Sequence, residues 1–241
     1  MPAPAKPTTQ HATRNTQYAS RITHHASPLL AVIIAHGDLE VTPEVREVVA
    51  RAALIVAADG GAAAAVAHGW WPHLVVGDLD SAPAEVLAQV QAHGGRAIEH
   101  AARKDETDTE LALRTALEQG ASEIYLLGAI GSRLDHSLAN VLLLGLPELA
   151  AVPVTVLTGR ERAFAIRHQA EIVGQVGDLV SLLPIGGDVT GIWTEGLEYP
   201  LRGETLRFGI PRGISNVLTA PSATVRVSSG ILLAVVTPQE R

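Results

Sequence analysis

Short apolar runs alternate with alanine-rich stretches of helical periodicity from residue 29 to about residue 150. LLAVIIA, ALIVAA, HLVVG, RAIEH and EIYLLGA are too brief for buried helices and predict strands. Between them, PEVREVVARA, GAAAAVAHG, PAEVLAQVQAHG, TDTELALRTALEQG and SLANVLLLGLPELA predict helices, several of which stop at a glycine, as at Gly69, Gly94 and Gly120. Thr107 and Glu110 have the spacing of a capping box, which starts the fourth helix there and puts Asp108 in its first turn. This βαβ alternation is the signature of a parallel sheet.

After about residue 160 the pattern changes. IVGQVGDLVSLLPIGG, VTGIWTEGLEYPL, ETLRFGI, ATVRVSSG and ILLAVV alternate apolar and polar positions between glycine and proline turns, which predicts an antiparallel sandwich or small barrel. The fold class is therefore α/β, with an N-terminal parallel-sheet, Rossmann-like domain over 29–160 and a C-terminal antiparallel β-sandwich domain over 161–241. PVTVLTG, at the junction, fits either domain. Residues 1–28 are rich in Pro, Thr, Ser, His and Arg and hold no acid before Asp38, so they read as a disordered tail rather than a cleaved organelle address.

Composition narrows the chemistry. The 241 residues carry 25 Asp and Glu against 18 Lys and Arg, a formal charge of -7, with no basic run in the folded part, which argues against a broad nucleic-acid or anionic-membrane surface. With no cysteine, disulfides, thiolate zinc sites and a cysteine nucleophile are excluded, and oxygen-ligand chemistry remains. No apolar run approaches the roughly 20 residues of a membrane-spanning helix, and a soluble, cytoplasmic protein is expected.

If the runs form one parallel sheet, the carboxyl ends of its strands carry Asp59, Asp78, Asp80, Asp105, Asp108 and Asp135 to one edge, where open α/β sheets bind ligands. Like charges gathered there imply a bound cation, and Mg²⁺ with a phosphate ligand fits best. In GDLDS (77–81), Asp78 and Asp80 lie two apart, so an extended backbone aims both carboxylates one way; the structural alternative is a turn in which Ser81 caps the next helix. In ADGGA (58–62), Gly60 and Gly61 can open backbone N–H groups to an anion, although any strand-to-helix turn favours small residues. GSRLDHSLAN (131–140) groups Arg133, Asp135, His136 and Asn140: the arginine can neutralise phosphate, and Asp135 can hold metal, take a proton or simply cap the helix with Arg133 paired to it. His136 is given a supporting role, and Trp70–Trp71 is assigned to packing.

Taken in order, ADGGA, GDLDS, DETD (105–108), GAIGSRLDHSLAN (128–140) and GISN (213–216) resemble the thiamine pyrophosphokinase family from about residue 30 onward. The resemblance implies a catalytic α/β domain followed by a thiamine-binding β-sandwich. It also implies a homodimer with thiamine at the subunit interface, and transfer of the terminal diphosphate of ATP to the thiamine hydroxyl with release of AMP. Carried over to this chain, it places Asp78, Asp80 and Asp105 on Mg²⁺ and the ATP phosphates, with Asp59, Gly60 and Gly61 close by. Asp108, Arg133, Asp135 and Asn140 complete the nucleotide and catalytic site, and Ser215 and Asn216 contact thiamine. Trp193 and Tyr199 are candidates for stacking on the cationic heterocycle. The chain departs from the family's usual pattern at His36, where Gly-Gly is common after the first strand, at Ala63 and at His73.

The mechanism expected is in-line attack of the thiamine alcohol on the β-phosphorus of Mg·ATP, with Asp105 or Asp135 accepting the proton. Two rivals stand beside it: diphosphate transfer to another hydroxymethyl heterocycle such as a pterin, and a non-catalytic thiamine or nucleotide sensor. Free phosphate release by a metal phosphohydrolase is a third.

Overall fold

A computed structural model describes residues 28–101 and 105–239; the expected tail lies almost wholly outside them. The N-terminal half is built from β1 (Leu29–Ile34), α1 (Pro43–Arg51), β2 (Leu54–Ala58), α2 (Gly61–Ala67), β3 (Leu74–Gly77), α3 (Ala84–Ala92), β4 (Arg96–Glu99), α4 (Asp108–Glu118), β5 (Ala121–Leu127), α5 (Leu134–Leu142) and β6 (Val154–Leu157). Its strands pair in parallel in the order β4-β3-β2-β1-β5-β6.

Alternate residues of β1 explain why the run is apolar throughout. Ala31 and Ile33 face a core shared with Leu113 and Ala116 of α4, while Val32 and Ile34 face Val45, Val48 and Val49 of α1. Helices on both faces leave no solvent-facing strand side, so no polar alternation is needed. β4 lies at the edge and carries Arg96 and Glu99, charges that blunt further strand pairing. Thr42 Oγ1 accepts from Val45 N at 3.3 Å at the start of α1, with Pro43 in its first turn. Thr107 Oγ1 likewise accepts from Glu110 N, at 3.2 Å. The Glu110 side chain instead accepts from Arg114, so only half of the expected capping box forms. The fifth helix is shorter than its apolar run: α5 stops at Leu142, and 3-10 turns follow at Leu143–Gly145 and Pro147–Leu149, where glycine and proline break the α-helix.

The C-terminal half comprises β7 (Arg162–Ile166), β8 (Gln169–Val173), β9 (Leu179–Glu195), β10 (Arg202–Leu206), β11 (Asn216–Val217), β12 (Ser222–Arg226) and β13 (Ser229–Thr237). β9 is long because it serves both layers of an antiparallel sandwich. Its first part pairs with β13 and β11; beyond the Gly186–Gly187 bend it pairs with β12 and β10. Val180 and Leu182 from one layer meet Val189, Ile192 and Val225 from the other in a second core.

PVTVLTG proves to belong to both halves. β6 is parallel to β5 and antiparallel to β7, so one hydrogen-bonded network runs through all thirteen strands. β13 reinforces the joint: Leu232, Ala234 and Val236 enter the sandwich core, whereas Leu233 and its neighbours Ile231 and Val235 pack on the α/β core.

Candidate active site

Strand order reverses between β1 and β5, whose carboxyl-end loops therefore part and open a crevice. The loops are stitched where they cross: Gly37 N donates to Gly128 O and Asp38 N to Ile130 O, each at 2.7 Å. A cleft of about 680 Å³ opens above, walled by residues after β1, β2, β3 and β5 and by the start of α4.

Asp59, Asp78 and Asp80 each present a carboxylate oxygen within 4.8 Å of the others. At that spacing each ionised pair repels by about 3–4 kcal/mol for an effective dielectric near 20. Asp59 is 6% exposed, and among the described residues its Oδ1 has no hydrogen-bond partner. A buried carboxylate oxygen left without a donor is costly, and a cation bridging the three acids removes both penalties. All-oxygen donors of this kind suit a hard divalent ion such as Mg²⁺.

Backbone strain maintains the cluster. Asp59 has φ 42° and Leu79, between the other two acids, φ 63°. Left-handed backbone at non-glycine residues costs on the order of 1–2 kcal/mol, less for Asp. The two carboxylates of GDLDS therefore converge through a left-handed turn, not through the extended alternation expected from their spacing. Leu79 packs its side chain against the α2–α3 core, which helps to hold the turn. Gly77 lets the acids close in: a Cβ there would lie 2.9 Å from Asp59 Cβ and 3.0 Å from Asp108 Oδ1. Ser81 does not cap α3, whose N-cap is Pro83; its hydroxyl donates to Asp80 Oδ1 at 2.9 Å.

Of the residues expected from sequence, Asp59, Asp78, Asp80, Asp108, Arg133 and Asn140 line the cleft. Asp105 is exposed and is not one of the three grouped carboxylates, the third of which is Asp59. Gly60 and Gly61 are explained by close packing. A Cβ on Gly61 would lie 2.0 Å from Ile34 O, and one on Gly60 would lie 2.4 Å from the His36 ring.

Asp135 takes a bidentate grip from Arg133, with Nε–Oδ1 3.2 Å and Nη2–Oδ2 2.5 Å. That hydrogen bond, aided by the His136 backbone N–H and the arginine charge, holds the Asp135 carboxyl below its ordinary range and raises the guanidinium. Asn140 is buried and donates to Ala129 O at 2.8 Å, holding the loop after β5. Ser137, which the sequence did not single out, binds the same loop through Gly131 and Arg133; its only signal is its place one helical turn after Arg133.

In the sandwich a smaller cavity of about 170 Å³ is lined in part by Tyr199, Arg212, Ile214 and Asn216. Asn216 is buried and its amide is held by the backbone: Oδ1 accepts from Tyr199 N at 3.0 Å and Val217 N at 2.9 Å, and Nδ2 donates to Tyr199 O at 2.8 Å. Ser215 is exposed at φ 56°, its N–H donating to Ser181 Oγ. Trp193 lies apart from this cavity, with Gly203 against its indole.

Residues 45–155 match the family model described as thiamin pyrophosphokinase, catalytic domain, and residues 166–232 match thiamin pyrophosphokinase, vitamin B1 binding domain. A thiamine pyrophosphokinase of Bacillus subtilis is 25% identical over 205 residues, covering 84% of this chain and 96% of its own. Thiamine pyrophosphokinase 1 of Arabidopsis thaliana is 28% identical over 210 residues, with 75% and 77% covered. The crystal structure of the thiamin pyrophosphokinase from Geobacillus thermodenitrificans superposes with a TM-score of 0.76 at 30% identity, over 88% of this chain and 99% of that one. With both of its halves matched in order, and the acidic cleft in the half that matches the catalytic model, the chain belongs to the thiamine pyrophosphokinase family.

Proposed function

We propose that the protein transfers the diphosphate of ATP to the hydroxyl of thiamine, giving thiamine diphosphate and AMP. The convergence of Asp59, Asp78 and Asp80 around an orphaned oxygen at the strand switch point carries this reading. Residues 29–160 supply the catalytic cleft and residues 161–241 the thiamine contacts. The vitamin B1 binding match favours thiamine over a pterin, and the catalytic-domain match favours an enzyme over a sensor.

Asp59, Asp78 and Asp80 would hold Mg²⁺, which supplies charge neutralisation for the polyphosphate. The thiamine oxygen attacks the β-phosphorus, the bond from that phosphorus to the α,β-bridging oxygen breaks, and AMP leaves with the electron pair. The alcohol proton passes to a carboxylate. Asp135 suits this poorly, because both of its oxygens serve Arg133 and its affinity for a proton is lowered; Asp105, exposed and next in sequence to the cleft-lining Glu106, is the better candidate. Ser137 and Asn140 keep the loop carrying Arg133 in place, so that binding energy goes into alignment.

Two copies would complete the thiamine site. Leu134, Leu138 and Leu142 recur every fourth residue along α5 and are each more than half exposed, an unpartnered apolar stripe beginning beside the cleft-lining Arg133. Ile210 and Ile214 are similarly bare near the sandwich cavity. A homodimer covering both surfaces follows. Among the described residues no helix is long and apolar enough to cross a membrane, and use of ATP favours the cytoplasm. Incubating the purified protein with thiamine and Mg·ATP should yield thiamine diphosphate and AMP in equal amounts. ADP, or free phosphate without an acceptor, would instead indicate a different transfer.

A further inference from the structure

His36 stands at the first turn of the cleft, directly after β1, and is exposed to it. Its ring is seated by its neighbour. An ideal Cβ on Gly60 would fall 2.4 Å from Nδ1, 2.6 Å from Cε1 and 2.8 Å from Cγ, near-equal distances that put it over the ring face, so the imidazole lies flat on a backbone that only glycine leaves bare. Because the contact is through the ring face, the nitrogen-bearing edge is not pressed against Gly60. Among the described residues neither ring nitrogen has a hydrogen-bond partner.

The surroundings make that edge useful. The cleft is rich in acceptors, with Asp38, Glu106 and Asp108 added to the three clustered acids, and among the described residues its donors beside the histidines are Arg133, the Asn140 amide and short hydroxyls such as Thr109 and Ser132. Arg133 gives Nε and Nη2 to Asp135. A polyphosphate has several anionic oxygens to satisfy, and a metal bound by carboxylates covers only some of them. Seated beside Asp59 through its contact with Gly60, His36 can offer Nε2–H in this part of the cleft without being ionised.

We propose that His36 is a specificity contact for the nucleotide, its Nε2–H donating to a nonbridging oxygen of the β,γ-diphosphate, with Gly60 as the seat that fixes the ring. The inference rests on the diphosphotransfer reading.

Calorimetric titration of the full chain with Mg²⁺ and α,β-methylene-ATP, without thiamine, tests it directly. His36→Gly should weaken binding about tenfold, the low end for a hydrogen bond to a charged group, and His36→Gln, which keeps a donor, should recover most of the loss. AMP binding should not change, because AMP lacks the diphosphate. Gly60→Ala should reproduce the loss, and adding it to His36→Gly should cost nothing more. Unchanged affinity in His36→Gly, equal loss for AMP and the ATP analogue, or additive effects of the two substitutions would overturn the assignment. A wild-type protein that binds the analogue but forms no AMP from thiamine and ATP would overturn the diphosphotransfer reading while leaving the His36 contact measurable.

Discussion

The acidic cleft and the sandwich cavity are built by different means. In the cleft, parallel strands deliver their carboxyl ends to one edge, so residues far apart in sequence meet because the topology leaves them no alternative. In the sandwich, the candidate thiamine residues sit on a β9 position, on the connection after β9 and on the approach to β11, and they do not form a single cluster. Trp193 is outside the cavity, Tyr199 is 64% exposed, and Asn216 is spent on the backbone of Tyr199. The acidic cluster is therefore complete within one chain, while the sandwich residues stay dispersed.

The sharpest way to break this contrast is at the cleft. Asp59→Asn keeps a residue that tolerates the left-handed backbone and removes one charge. Turnover should fall by about 10²–10³-fold, the usual scale for deleting one preorganised electrostatic contact. Thermal stability without Mg²⁺ should hold or rise as repulsion is relieved, and stabilisation by added Mg²⁺ should vanish. A variant that melts early but turns over normally would mean that Asp59 is structural.

Asn216→Ala probes the other region. Losing the amide strands the N–H and C=O of Tyr199 together, at about 1–3 kcal/mol. The melting temperature should drop and KM for thiamine should rise, while KM for ATP stays put. An equal rise in both constants would show that the two sites are not separate. A smaller effect on folding is expected from Leu138→Glu: the side chain is 54% exposed, so monomer stability should move by less than about 0.5 kcal/mol. Sedimentation should nevertheless shift from dimer to monomer. An unchanged sedimentation coefficient would assign the stripe on α5 to something else.

The same contrast governs what could be read before the structure. Apolar runs buried on both faces announce a parallel sheet, and acids placed just after them announce its edge, so Asp59, Asp78, Asp80 and Asp108 were legible. What spacing could not carry was local backbone geometry. The left-handed Leu79, the hydroxyl of Ser81 turned to Asp80 instead of a helix end, and Gly60 kept bare for an imidazole all depend on neighbours distant in sequence. Asp105 stood outside the carboxylate group because it precedes α4, whereas Asp59, at the end of a central strand, is fixed by Asp59 N donating to Val76 O. Asn216 and Asn140 look like ligand contacts in a motif, yet a buried amide turns first to nearby backbone: Asn216 uses its oxygen and nitrogen on Tyr199 and Val217, and Asn140 gives its nitrogen to Ala129 O.

The thirteenth strand carries one more implication. β13 sends alternate side chains into both hydrophobic cores, so each lacks a wall until it arrives. Since a ribosome makes strands in order, neither half can mature as an independent early intermediate during synthesis. A chain stalled before β13 would expose greasy surface from both ends of the molecule, and a chaperone would have to shield the two together.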